Sequence, residues 1–210
     1  MNTTSIHQRL GFAALVLSTL FACGAAHGAD PFTFAALQDG GKTAQGGQHE
    51  AFAYSEKPGD ASVDKVVLAD GVARITGNIW PQKGSTWAGI GFMVSAGAGD
   101  KTVDLSAHKT VRLQLASASA KQLRVRVMGL DKATRDAGCY PIVVLPISPE
   151  LREIEVPLAR FAPDGYCGAK GRSIADTAKA VAAIEVSDPT LAPGTRHAVD
   201  FQVGRIELKP

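Results

Sequence analysis

Alternation constrains this chain more than any other feature. From residue 32 to residue 208, short apolar segments of period two recur between clusters of glycine, proline and aspartate. Val111/Leu113/Leu115, Leu123/Val125/Val127, Ile154/Val156, Ile184/Val186 and Val199/Phe201/Val203 each skip one residue between apolar positions. That period places the apolar set on one face of a strand and the polar set on the other. Eleven strands are predicted, over 32–37, 49–55, 65–69, 72–80, 88–95, 110–117, 122–129, 141–147, 151–158, 180–187 and 197–208. Turn chemistry separates them at "QDGGK", "KPGD", "ADG", "QKGS", "GAGD" and "APGT". In the last strand the apolar phase slips from Val203 to Ile206 and Leu208 across Gly204, as a β-bulge would cause. Only 173–180 reads as helix, with Ser173 as N-cap and Asp176 three residues on. Many strands and one short helix predict an all-β fold, a two-sheet antiparallel β-sandwich.

Two segments bear on compartment. Arg9 precedes the nearly all-apolar run 10–22, and Ala26-His27-Gly28 ends it with small residues, so residues 1–28 read as a signal peptide. The run is too short for a membrane span, which needs about 20 residues. The chain is therefore expected to be exported, periplasmic or secreted, with residues 29–210 forming one domain. "LFAC" at 20–23 matches a lipobox at Leu20 and Ala22, so an outer-membrane lipid anchor through Cys23 is the alternative. The remaining cysteines, Cys139 and Cys167, form an even pair in loop-like flanks, and a disulfide is expected between them.

The function classes narrow by exclusion. The formal net charge is +2, with signs interspersed and no basic run, which argues against a nucleic-acid surface. G-x-S-x-G, H-E-x-x-H and a phosphate-binding loop are absent. "SAHK" at 106–109 satisfies S-x-x-K but lacks its companion motifs. His49, His108 and His197 are dispersed, and nothing selects a carboxylate pair from Asp104, Glu185 and Asp200. No catalytic residue is expected.

The order of pieces is informative in itself. "FTFAALQDGGKTAQGG", "DGVARITG", "WAGIGF", "VDLSAHKTVRLQL", "ELREIEVPLARFAP", "AVAAIEVSD" and "AVDFQVGRIEL" follow one another along the mature chain. Together they resemble the galactose-binding-domain-like jelly rolls typified by family 11 carbohydrate-binding modules and by the complex I intermediate-associated protein family. The resemblance implies a jelly roll without catalysis, and a polysaccharide or oligosaccharide as partner. A protein-interaction or assembly module of the same fold is the alternative. No cofactor is implied beyond a structural calcium, for which Asp39, Asp70 and Asp200 are the candidate oxygens. The cysteine-bearing loops depart from the module pattern.

Sugar recognition uses aromatic platforms and forked polar donors. The aromatic candidates are Trp80, Tyr140 and Tyr166, the two tyrosines each beside a cysteine. Trp87 opens an apolar strand and is read as core. The polar candidates are Arg112, Gln114, Arg124, Arg126, Glu185 and Gln202, all in the outward phase of their strands. One concave sheet carrying all six would form a binding face; a solvated sheet face with cross-strand charge pairs is the competing reading.

Overall fold

The computed structural model describes residues 30–35, 47, 49–54, 61–80, 87–94, 101–189 and 196–210, with 35 and 49–54 described by backbone alone. The predicted signal peptide, Cys23, Asp39 and all the predicted turn clusters except 69–71 lie outside the described residues. The strands are β1 (Phe32–Ala35), β2 (His49–Tyr54), β3 (Ala61–Ala69), β4 (Val72–Ile79), β5 (Trp87–Met93) and β6 (Thr110–Ser117). They continue as β7 (Gln122–Gly129), β8 (Ile142–Pro146), β9 (Arg152–Pro157), β10 (Val181–Asp188) and β11 (His197–Lys209).

These strands form two antiparallel sheets. One runs β3-β4-β11-β6-β9, with β1 also on β11; the other runs β2-β5-β10-β7-β8. Strand β11 is long enough to serve two partners on one side. Its first half pairs with β4 through Val203, and beyond the bulge it pairs with β1. The predicted slip at Gly204 is present, because the β11–β6 register shifts between Val203 and Ile206. A Cβ at position 204 would lie 2.6 Å from Oε1 of Gln114, so glycine leaves room for that side chain.

The alternating apolar residues meet between the sheets. Ile75, Leu113, Phe201 and Ile206 of the first sheet and Ile90, Phe92, Leu123 and Ile184 of the second are completely or almost completely buried. Burying a side chain of this kind is worth about 1.5–3 kcal/mol, so the alternation drives the pairing of the two sheets. The outward phases carry the polar residues.

Two departures from the sequence reading have local causes. Strand β3 starts at Ala61, earlier than predicted, because a register shift between Val63 and Lys65 carries pairing past the polar residues there. Gly77 faces that irregularity, and a Cβ on it would stand 2.1 Å from the Ser62 carbonyl oxygen. A second helix, α1 (Lys132–Ala137), occupies a stretch read as loop. Asp131 caps it by accepting from Thr134 N at 2.9 Å, and Gly138 ends it at φ 66°. At six residues it is too short to show a helical period. The predicted helix is α2 (Ile174–Thr177), capped by the Ser173 hydroxyl and continued by a short 3-10 turn. Among the described residues, no helix is long and apolar enough to cross a membrane.

Candidate ligand-binding face

The six outward polar candidates do not share a sheet. Arg112, Gln114 and Gln202 sit on β6 and β11 in the six-stranded sheet, whereas Arg124, Arg126 and Glu185 sit on β7 and β10 in the five-stranded one. Consecutive strands β6 and β7 cross the sandwich instead of lying side by side. Their polar phases therefore point away from the core in opposite directions, and the expected single concave face is corrected to two separate ones.

On the six-stranded sheet the candidates are occupied with their neighbours. Arg112 is 2.6 Å from Glu155, 3.0 Å from Glu153 and 3.9 Å from Glu207, and Lys209 also reaches Glu155. Oε1 of Gln114 accepts from the Arg205 backbone N–H at 3.2 Å and fills the space beside the bulge. Gln202 lies opposite Arg74, whose guanidinium holds Asp200 with both oxygens. Trp80 closes the end of β4 in this same sheet, under Arg196 at 5.9 Å from its ring. This is a solvated face laced with cross-strand charge pairs, each worth about 0.2–1 kcal/mol.

The five-stranded sheet is different. On β5, Ala88, Ile90 and Phe92 enter the core, which turns Trp87, Gly89 and Gly91 outward. Gly89 pairs with Ser187 and Gly91 with Glu185 on β10; these pair in turn with Arg124 and Arg126 on β7. Two glycines and a serine leave the middle of the face recessed. Arg124 lies down in that recess and extends over β10 toward the Trp87 ring of β5, two strands away. Its guanidinium carbon ends 4.0 Å from the centre of the Trp87 ring, and its Nε donates to Ser187 Oγ at 3.3 Å. Only 7% of Arg124 remains exposed. Burial, followed by repulsion from Arg126, pushes its pKa down to about 10.

Arg126 continues the stack. Its guanidinium carbon is 5.6 Å from the Trp87 ring and 5.7 Å from the Tyr140 ring, and its Nη1 donates to Glu185 at 3.2 Å. Cation–π contacts of this geometry gain strength as water is excluded. Trp87, read from sequence as core, is therefore the platform of the face. Nothing in "WAGIGF" could reveal this, since the outward turn of Trp87 follows from which of the alternating residues the other sheet covers.

The expected disulfide joins Cys139 to Cys167, with Cα atoms 5.6 Å apart across a sequence separation of 28. It ties the end of α1 to the 3-10 segment Gly165–Lys170, a union reinforced where Thr134 Oγ1 donates to Lys170 O at 2.9 Å. The two tyrosines beside the cysteines then take unequal places. Tyr140 is buried against Arg126, and burial raises its pKa to about 12. It forms a wall of the recess and not an exposed platform. Tyr166 stands 74% exposed on the loop.

Behind the recess, the residue after Ser187 is Asp188, completely buried at the end of β10. Its Oδ2 meets His197 Nε2 at 2.8 Å and accepts from the Ser119 hydroxyl at 3.3 Å. Both partners bind the same carboxylate oxygen, so serine and histidine are not arranged in series as nucleophile activation requires. The trio instead links β10 of one sheet to β11 of the other. Sequence reasoning missed it because the three residues come from separate segments with no motif.

Of the candidate calcium oxygens, Asp200 is held by Arg74 and Asp70 sits in the β3–β4 turn at φ 52°. Among the described residues no group of three or more His, Cys, Asp or Glu converges as a metal site would require.

No protein-family model matches the chain, and no curated protein matches it by sequence. Solved structures do match. The family 30 carbohydrate-binding module of a cellulosomal cellulase of Clostridium thermocellum superposes with a TM-score of 0.51 at 11% identity, covering 86% of this chain and 98% of the module. The family 11 module from Clostridium thermocellum, in complex with a β-1,3-1,4-mixed-linked tetrasaccharide, superposes with a TM-score of 0.50 at 11% identity, covering 85% and 95%. The chain thus has the jelly-roll fold of these carbohydrate-binding modules, with its cationic recess on the outer face of the five-stranded sheet.

Proposed function

We propose that the protein is an exported, non-catalytic carbohydrate-binding protein whose ligand lies on the outer face of the five-stranded sheet. The observation that carries this reading is the stack of Arg124 and Arg126 against Trp87 in a floor of Gly89, Gly91 and Ser187. Stacking holds the guanidinium planes in place, so little side-chain freedom remains to be lost when a ligand binds. Planar forks of this kind donate paired hydrogen bonds to neighbouring oxygens on a sugar ring. Tyr166 offers an exposed ring on the adjoining loop for the apolar face of a sugar. The shared fold with modules that bind glycans supports the ligand class, and residues 1–28 support export.

Affinity electrophoresis tests the reading. The mature chain is run through native gels containing mixed-linkage β-glucan, xylan or polygalacturonate, alongside Arg124→Met and Trp87→Ala. Retardation in at least one gel, lost in both variants, is the expected result. Unretarded migration across the whole panel would overturn it.

A further inference from the structure

Among the described residues, the charges in the recess do not balance. Arg126 is paired with Glu185 at 3.2 Å, but among the described residues no acidic group lies within ion-pair range of Arg124. Glu185 and Asp164 act on Arg124 only through longer-range attraction. The Nε of Arg126 is itself buried and has no hydrogen-bond partner among the described residues. Among the described side chains of β5, β10 and β7, two guanidinium groups thus share the single carboxylate of Glu185 on a face where Arg124 is more than nine-tenths removed from water.

Holding an unpaired cation out of water beside a second cation costs free energy, and such arrangements concentrate at functional sites. A neutral sugar would accept hydrogen bonds from the forks but leave the surplus charge in place. A carboxylate would cancel it. It would also match the spacing of paired guanidinium donors, giving shorter and stronger bonds than hydroxyls give.

We propose that this face recognises an acidic glycan, a polymer containing uronic acid, and that Arg124 receives the sugar carboxylate with Arg126 reinforcing the positive field behind it. The proposal rests on the reading of this face as a glycan site and names the class of glycan. Tyr166, exposed on the disulfide-bonded loop, meets the ring of the same or the next residue. Trp87 acts through the arginines, holding their planes in register with the incoming carboxylate.

Isothermal titration of the mature chain with a galacturonate hexamer, its carboxyl-reduced neutral counterpart, a mixed-linkage β-glucan hexasaccharide and polyglutamate tests it. The galacturonate hexamer is expected to bind at least about tenfold more tightly than its reduced form, the scale of one charge-assisted fork. Arg124→Met should abolish that preference. Arg126→Lys keeps a charge for Glu185 but loses the fork, and should weaken binding without reversing the preference. Arg74→Gln, on the opposite sheet, should change nothing. Equal affinity for the acidic and reduced hexamers, or tighter binding of the glucan, overturns the acidic assignment and leaves the glycan reading standing. Polyglutamate binding as tightly as the hexamer shows plain ion exchange and overturns the proposal. Failure of every glycan to bind overturns both readings. The comparison of ligands on the unaltered chain needs no variant to fold.

Discussion

Replacing Arg124 with methionine separates a binding residue from a structural one. Its pKa, lowered from 12.5 to about 10 chiefly by burial, corresponds to roughly 3 kcal/mol of cost in keeping the group charged. Methionine removes that cost and keeps most of the aliphatic packing. It also removes the contact with Trp87 at 4.0 Å, worth about 2 kcal/mol when desolvated. The long hydrogen bond to Ser187 at 3.3 Å goes too, at about 1 kcal/mol. The terms nearly cancel, so Arg124→Met should change stability by no more than about 1 kcal/mol in either direction. Urea unfolding at pH 7 reads this directly, and in a domain of this size the melting temperature should shift by no more than about 2–4 °C. The adjoining Arg126→Met should behave differently, because it breaks the largely buried ion pair with Glu185 and should cost up to about 3–5 kcal/mol. A loss above about 3 kcal/mol in Arg124→Met would refute the reasoning, since it would make the arginine a stabilising element of the sheet.

Other outcomes follow from the same structure. Changing both Cys139 and Cys167 to serine opens a loop with a sequence separation of 28, and the chain-entropy relation puts the cost at roughly 3–4 kcal/mol, measurable as a lower urea midpoint. Gly77→Ala drives a Cβ into the Ser62 carbonyl at 2.1 Å and should cost at least about 1–3 kcal/mol, with the same measurement as check. Burial lifts the Asp188 carboxyl above its usual 3.8, and hydrogen bonds from His197 and Ser119 only partly oppose this. Between 3.8 and that raised value the folded state binds more protons than the unfolded state, so this group's contribution to stability falls as pH rises through the window. Asp188→Asn removes the dependence. The stability difference should therefore move in favour of the variant as pH increases above about 4, and a difference that stays flat from pH 3 to 8 would contradict it.

The strand pattern was legible because each alternating segment carries its own record of which face is dry. Val111/Leu113/Leu115 and Leu123/Val125/Val127 are buried as their period demands. The bulge at Gly204 was visible as a slip in that period, and the disulfide as the one even pairing left after the cysteine in the N-terminal apolar run. Helix α1 was not legible, because six residues are stabilised by an Asp131 cap and a Gly138 stop and not by periodicity.

The candidate site was legible only in part, for a related reason. Sequence alone determined that Arg112, Gln114, Arg124, Arg126, Glu185 and Gln202 point away from the core, since outward direction is a local property of alternation. It could not determine which of them are neighbours. Strand order is set by long-range pairing, and β6 and β7 pair with β11 and β10, strands that come much later in the chain. That choice sends Arg112 into a wet network of glutamates and lays Arg124 across a recess made by glycines from a third strand. The same polar period therefore produces a solvated face on one sheet and a nearly dry cationic face on the other. The difference lies in the small residues that tertiary pairing places beside it.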